Sequence, residues 1–147
     1  MPSERAPERP LPETRNAGAT FWSKAAESVL VVPKCTECGR TFWYPRPRCP
    51  NCGSEHVDWV HASGKGAVHT FTIVRQSADP YFRTKVPYAV AMIDLDEGVR
   101  MMGNVTGCPV ERVRIGMPVE AYAIECGDGL AVPFWRPAAE TGTRAGA

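Results

Sequence analysis

Residues 35–53 read C-T-E-C-G-R-T-F-W-Y-P-R-P-R-C-P-N-C-G, two C-x-x-C-G units with ten residues between Cys38 and Cys49. Two residues between thiolates let one tight turn aim both sulfurs at a single ion, and two such pairs supply a closed tetrahedral zinc site. Gly39 and Gly53 follow the second cysteine of each pair. Glycine takes positive φ without a Cβ penalty, which lets backbone N–H groups turn toward sulfur. Four thiolates on one Zn2+ leave net negative charge, and Lys34, Arg40, Arg46 and Arg48 flank the units to offset it. A redox dithiol needs only one pair, and four ordinary buried cysteines are the other alternative. With Cys35, Cys38, Cys49 and Cys52 all serving as ligands, no coordination position stays open, so the expected metal is structural zinc rather than a catalytic one. Cys108 and Cys126 stand singly and are expected to be small buried hydrophobes.

Working upstream, residues 1–19 are read as a flexible tail rich in Pro, Glu, Arg and Ala. Met1 to Pro12 holds no apolar signal-peptide core, which points to the cytoplasm and against a disulfide framework. Thr20 is a candidate N-cap for a short helix with Phe21, Ala25 and Val29 on one face. Val29 to Val32 is expected to lead as a strand, ending at Pro33, into the first knuckle.

Downstream, Val57 to Val60 is a short strand, and Gly64 and Gly66 around Lys65 suggest a bulge or tight turn. Five β segments follow: Ala67–Arg75, Tyr88–Leu95, Val99–Val105, Pro118–Glu125 and Leu130–Arg136. In the first, Val68, Thr70, Thr72 and Val74 share one face by alternation, with His69, Phe71 and Ile73 on the other. Ser77 to Pro87 is read as a loop. Asp96-Glu97-Gly98 and Gly127-Asp128-Gly129 are hairpin turns, and Pro109 to Ile115 holds a single helical turn stopped by Gly116. Five strands with that one helical connection match an OB-fold, with an SH3-like barrel or a small sandwich as rivals. The expected class is mostly β: an N-terminal helix and rubredoxin-like zinc ribbon over 20–62, a five-stranded OB-fold barrel over 63–137, and a flexible tail over 138–147.

Composition excludes several functions. The 147 residues carry 17 Lys+Arg against 16 Asp+Glu, a formal net charge of +1. Residues 64–136 hold eight of each sign. Nucleic-acid binders draw affinity from phosphate neutralisation, so neutrality argues against nucleic acid as a partner. No run approaches the roughly 18 apolar residues of a membrane span. His56, His61 and His69 form no metal-binding pair, Asp94, Asp96 and Glu97 sit at a hairpin tip, and no nucleophile-elbow or phosphate-loop motif occurs. No catalytic residue is assigned, and the chain is not expected to be an enzyme by itself.

Phe21, Trp22, Phe42, Trp43 and Tyr44 crowd around the helix and ribbon, more aromatic surface than a mini-core needs. Aromatics of this kind mark interface cores, so Phe21, Trp22, Trp43 and Tyr44 are candidate partner contacts, with seating of the helix on the ribbon as the plainer role. Trp135 and Phe134 add to the aromatic surface that one small barrel would have to hide. Lys34, Arg46 and Arg48 are candidates for the phosphates of a CoA-type ligand, with compensation of the thiolates as the plainer role.

The order T-F-W at 20–22, L-V-V-P-K-C-T-E-C-G, F-W-Y-P-R-P-R-C-P-N-C-G-S and S-G-K-G at 63–66 before an OB-like barrel resembles the zinc-ribbon/OB-fold proteins found with thiolases in bacteria and archaea. The resemblance covers about residues 20–136. It implies zinc ligation by Cys35, Cys38, Cys49 and Cys52. It implies a non-catalytic accessory subunit of a thiolase-like homodimer acting on acyl-CoA, as a thiolase, an acyltransferase or a steroid side-chain aldolase. A heterotetramer and a separate MaoC-like hydratase in the same assembly are implied in the same way. The alternatives are a stand-alone acyl-CoA binder or carrier and, behind it, a nucleic-acid-binding module.

Overall fold

Helix α1 (Ala19–Ala26) has no side-chain cap of its own; Gly18 is the N-cap in place of Thr20. Asn16 does the work from outside, its Oδ1 accepting the Gly18 N–H at 2.8 Å and its carbonyl accepting the Ala19 N–H at 3.0 Å. Phe21 and Ala25 are buried, one turn apart. Val29 does not continue that face, because Ser28 turns the chain at φ 62 and ends the helix. The computed structural model describes residues 5–139. Residues 1–4 and 140–147, onto which the two expected tails extend, lie outside the described residues.

Strands β1 (Val31–Cys35) and β2 (Val57–His61) form a two-stranded antiparallel sheet with Cys35 opposite Val57. Pro33 lies inside β1 rather than ending it. A two-stranded ribbon tolerates this, since an edge position does not require the missing N–H. The Pro33 carbonyl accepts the Phe42 N–H at 3.1 Å, which folds the crossing segment back on the strand.

The remaining strands are β3 (Lys65–Val74), β4 (Tyr88–Leu95), β5 (Arg100–Val105), β6 (Pro118–Gly127) and β7 (Leu130–Pro137). They close in the order β3-β4-β5-β7-β6, with β3 also paired to β6 and β5 parallel to β7 at Val105 and Trp135. This is the closed OB-fold barrel, not an open sandwich. A 3-10 turn at Val110–Arg112 supplies the single helical connection between β5 and β6.

Three further features depart from the sequence reading. The pairing of β3 with β4 slips between Val68 and Thr70, leaving His69 as an extra residue. The slip reverses the alternation, so Phe71 and Ile73, not Thr70 and Thr72, share the core with buried Val68. Within Ser77 to Pro87 lies a short helix, α2 (Pro80–Arg83), capped by Asp79, whose Oδ1 accepts the Tyr81 and Phe82 N–H groups at 2.9 and 3.0 Å. Trp135 is not surface aromatic: it is 1% exposed and fills the barrel. Its ring lies against Gly103, where a Cβ would come within 2.2 Å of Trp135 Cζ3. Only glycine admits that approach. Phe134 beside it is half-buried.

Candidate metal centre and aromatic surface

The two knuckles are built alike. Gly39 N–H donates to the Cys35 carbonyl and Gly53 N–H to the Cys49 carbonyl, each at 2.9 Å. Both glycines are left-handed, at φ 75 and 77. The turns bring the sulfurs of Cys35, Cys38, Cys49 and Cys52 within 4.8 Å of one another. Across the knuckles, Cys35 Sγ lies 3.6 Å from Cys52 Sγ, and Cys38 Sγ 3.7 Å from Cys49 Sγ. Tetrahedral zinc with Zn–S bonds of about 2.3 Å separates its sulfurs by about 3.8 Å, so the donor set fits the ion. Backbone N–H groups also point at sulfur, from Cys38 to Cys35 Sγ at 3.5 Å and from Asn51 to Cys49 Sγ at 3.4 Å.

The electrostatics of the cluster favour a cation. The Arg40 backbone N–H, followed by Asn51, lowers the Cys38 thiol to about 6. The Ser54 backbone N–H pulls Cys52 down, but desolvation and the three neighbouring sulfurs outweigh it and raise that thiol to about 11. One thiolate forms readily while the last resists, and a divalent cation removes the conflict. Such an ion would be held by the four sulfurs and would supply cross-linking of the two knuckles.

The flanking cations do not converge. Arg48 donates to Glu55 Oε1 at 2.5 Å and to the Gly53 carbonyl at 3.2 Å, bracing the second knuckle. Lys34 is half-buried and Arg46 exposed. His56 Nδ1 lies 2.6 Å from Glu37 Oε1, and the His56 carbonyl accepts the Thr36 N–H at 2.9 Å, so His56 ties the knuckle to the sheet. Cys108 and Cys126 are half-buried rather than buried.

The hairpin acids are more than a solvated turn. The Arg100 guanidinium, 2.6 Å from Asp94 Oδ1, holds the Asp94 carboxyl below its ordinary value. Glu97 joins the two halves of the chain. Its carbonyl accepts the Thr41 hydroxyl at 2.9 Å, and its Oε1 accepts the Ser63 N–H at 2.6 Å.

Of the candidate partner aromatics, Phe21 is 6% exposed and the most buried. Its ring meets Trp22 at 5.0 Å and Trp43 at 4.8 Å, both edge-on. Trp22 and Trp43 are half-buried and Tyr44 is 52% exposed. These three rings and Phe21 line a cavity of about 510 Å³ together with Met101, Met102, Trp135 and residues of the segment before α1. Lys34, Arg46 and Arg48 do not line it. Met102, 55% exposed, escaped the sequence reading. The alternation of β5, with Met101 turned inward, was the available signal.

Two family models match the chain: the ChsH2 rubredoxin-like zinc ribbon domain over residues 22–58 and the ChsH2 C-terminal OB-fold domain over 59–123. A probable enoyl-CoA hydratase alpha subunit of Thermomonospora curvata is 35% identical over 130 residues, 88% of this chain and 40% of that protein. A DUF35 domain-containing scaffold protein of Methanocaldococcus jannaschii is 38% identical over 93 residues, 63% of this chain and 65% of that one. The chain thus spans less than two thirds of the length of either relative. At 28% identity over 78 residues, 52% of this chain and 51% of the relative, it also matches the benzoylsuccinyl-CoA thiolase subunit BbsA of Thauera aromatica. Among solved structures, a chain of the Ltp2-ChsH2(DUF35) aldolase superposes with a TM-score of 0.78 at 34% identity, over 89% of this chain and 100% of that one. No helix among the described residues is long and apolar enough to cross a membrane.

Proposed function

The chain belongs to the ChsH2 (DUF35) zinc-ribbon/OB-fold family, and from that premise we propose that it is a non-catalytic accessory subunit of a thiolase-like enzyme acting on acyl-CoA in the cytoplasm. Zinc is held by Cys35, Cys38, Cys49 and Cys52 and keeps the ribbon folded. The working units are the helix and ribbon over 20–62 and the barrel over 63–137. Two copies dock on a thiolase-like homodimer, and a MaoC-like hydratase takes part in the same assembly. The names of the relatives support this reading: one is a scaffold, one a thiolase subunit, one a hydratase subunit and one a partner in an aldolase.

The observation that carries the proposal is the cavity walled by Trp22, Trp43, Tyr44 and Met102. Three different parts of the chain, α1, the ribbon crossing and β5, contribute to it, so a partner that fills it grips the ribbon and the barrel together. Interface aromatics at the centre of such a patch contribute at least ~2 kcal/mol each, about 30-fold in affinity. Lys34 and Arg46 form no ion pair among the described residues and remain available to a phosphate-bearing substrate, whereas Arg48 is engaged by Glu55.

The test is co-expression of the wild-type chain or Trp22→Ala with the candidate thiolase-like partner, followed by affinity capture and metal analysis. Wild type is expected to capture the partner, and Trp22→Ala to weaken capture about 30-fold at unchanged zinc content. A wild-type chain that captures no thiolase-like protein, yet retains an acyl-CoA on purification, would transfer the assignment to a stand-alone acyl-CoA binder.

A further inference from the structure

Beside α2 opens a separate cavity of about 400 Å³, lined by Tyr81, Phe82, Tyr88 and Phe134. Tyr81 and Phe82 meet edge-on at 5.2 Å, and Phe82 and Tyr88 lie 6.0 Å apart. Into this group reaches Arg9 from the segment before α1. Its guanidinium carbon lies 5.2 Å from the Phe134 ring, 5.4 Å from Phe82 and 5.8 Å from Tyr81. Three rings presenting their negative faces to one cation form an aromatic cage. A guanidinium suits it better than an ammonium, because it is planar, weakly hydrated and able to stack. Lys85 Nζ, 5.2 Å from the Tyr81 ring, is a second cation at the same rings, and the cage holds Arg9 despite it. Arg9 forms no ion pair among the described residues, so ring contact is its engagement. Of residues 5–10 it is the only one not fully exposed.

We propose that this cage is a guanidinium-binding site whose occupant is Arg9 of the same chain, and that the seated Arg9 clamps residues 9–18 as a strap along the wall of the aromatic cavity. The far end of the strap fits that role. Glu13, Asn16 and Gly18 line the 510 Å³ cavity, and Asn16 is bonded to the start of α1. Between Arg9 and Asn16 the segment carries no helix or strand, so these two points fix it. The consequence for docking rests on the function proposed above: a partner group entering beside Trp22 meets the strap, and release of Arg9 widens the entrance.

Amide hydrogen exchange of the 147-residue, zinc-loaded chain alone tests the clamp without any partner. Arg9→Ala is expected to speed exchange of the Arg15 and Gly18 amides, the two in residues 11–18 whose N–H is hydrogen-bonded, about tenfold, leaving the barrel and ribbon amides unchanged. Arg9→Lys is expected to fall between wild type and Arg9→Ala, because an ammonium keeps the charge and loses the stacking. Exchange of those two amides within twofold of wild type in Arg9→Ala would overturn the proposal, as would faster exchange spread evenly through the barrel. A parallel affinity capture with the thiolase-like partner separates the two readings. Faster strap exchange with no capture of a partner by wild type supports the clamp and removes the docking role.

Discussion

In the barrel, β4 buries every second residue from Ala89 to Leu95, whereas in the ribbon β2 has no fully buried residue at all. The barrel closes on itself around Ile93, Met101, Val119 and Trp135, each under 3% exposed. The ribbon has two strands, and its buried positions are confined to β1, Phe42 and Cys49. An isolated two-stranded sheet is at best marginally stable in water. The two regions therefore call on different sources of stability: apolar burial in the barrel, and in the ribbon a metal that its four sulfurs fit. They touch through α1, which packs on both, through Val32, Trp43, Trp59 and Val60, which pack into the barrel's core, and through the bond from Thr41 to the Glu97 carbonyl.

The largest effect that could break this contrast is loss of a ligand. Binding energy at structural zinc sites is folding energy, on the order of 10 kcal/mol in small peptides. Cys38→Ser is expected to abolish zinc binding and unfold residues 31–61, measured by metal analysis and by near-ultraviolet circular dichroism of the ribbon tryptophans. The barrel counterpart is Trp135→Ala, which removes the side chain seated on Gly103. Truncation of a buried tryptophan costs about 3–5 kcal/mol. The expected outcome in denaturant melts is a barrel transition lowered by that amount, with zinc content kept at one per chain.

How much was legible in the sequence follows the same division. Ligand chemistry fixes the cysteine spacing locally, so the four sulfurs that meet within 4.8 Å could be named from two short motifs. Strands β4 and β5 were legible from their alternation and from the turn at Gly98. The bulge at His69 was not, because a register slip depends on the partner strand and leaves no mark in the alternation itself. Helix α2 carried a signal that was passed over: Asp79 before Pro80 is a cap followed by proline at the first helical position. The burial of Trp135 depends on Gly103, 32 positions away along the chain, and composition cannot show that pairing. The aromatic cavity was half legible. Trp22, Trp43 and Tyr44 stood out as a cluster, but Met102 reaches it only through the closed barrel.

A smaller change sharpens the comparison by testing how far the two regions are coupled. Thr41→Val removes the part-buried hydroxyl that bonds the Glu97 carbonyl. A net loss of about 1 kcal/mol is expected. It should appear as a lower midpoint for the ribbon at unchanged zinc affinity, read from chelator-competition and thermal melts of the same samples. An effect of equal size on the barrel transition would mean that the two regions unfold as one unit.

Region-resolved hydrogen exchange before and after zinc is stripped by a chelator tests the division of labour most directly. The expected result is a collapse of protection across β1, β2 and the knuckles, with β3 to β7 protected as before. Protection lost throughout the barrel, or retained in the ribbon without metal, would contradict it.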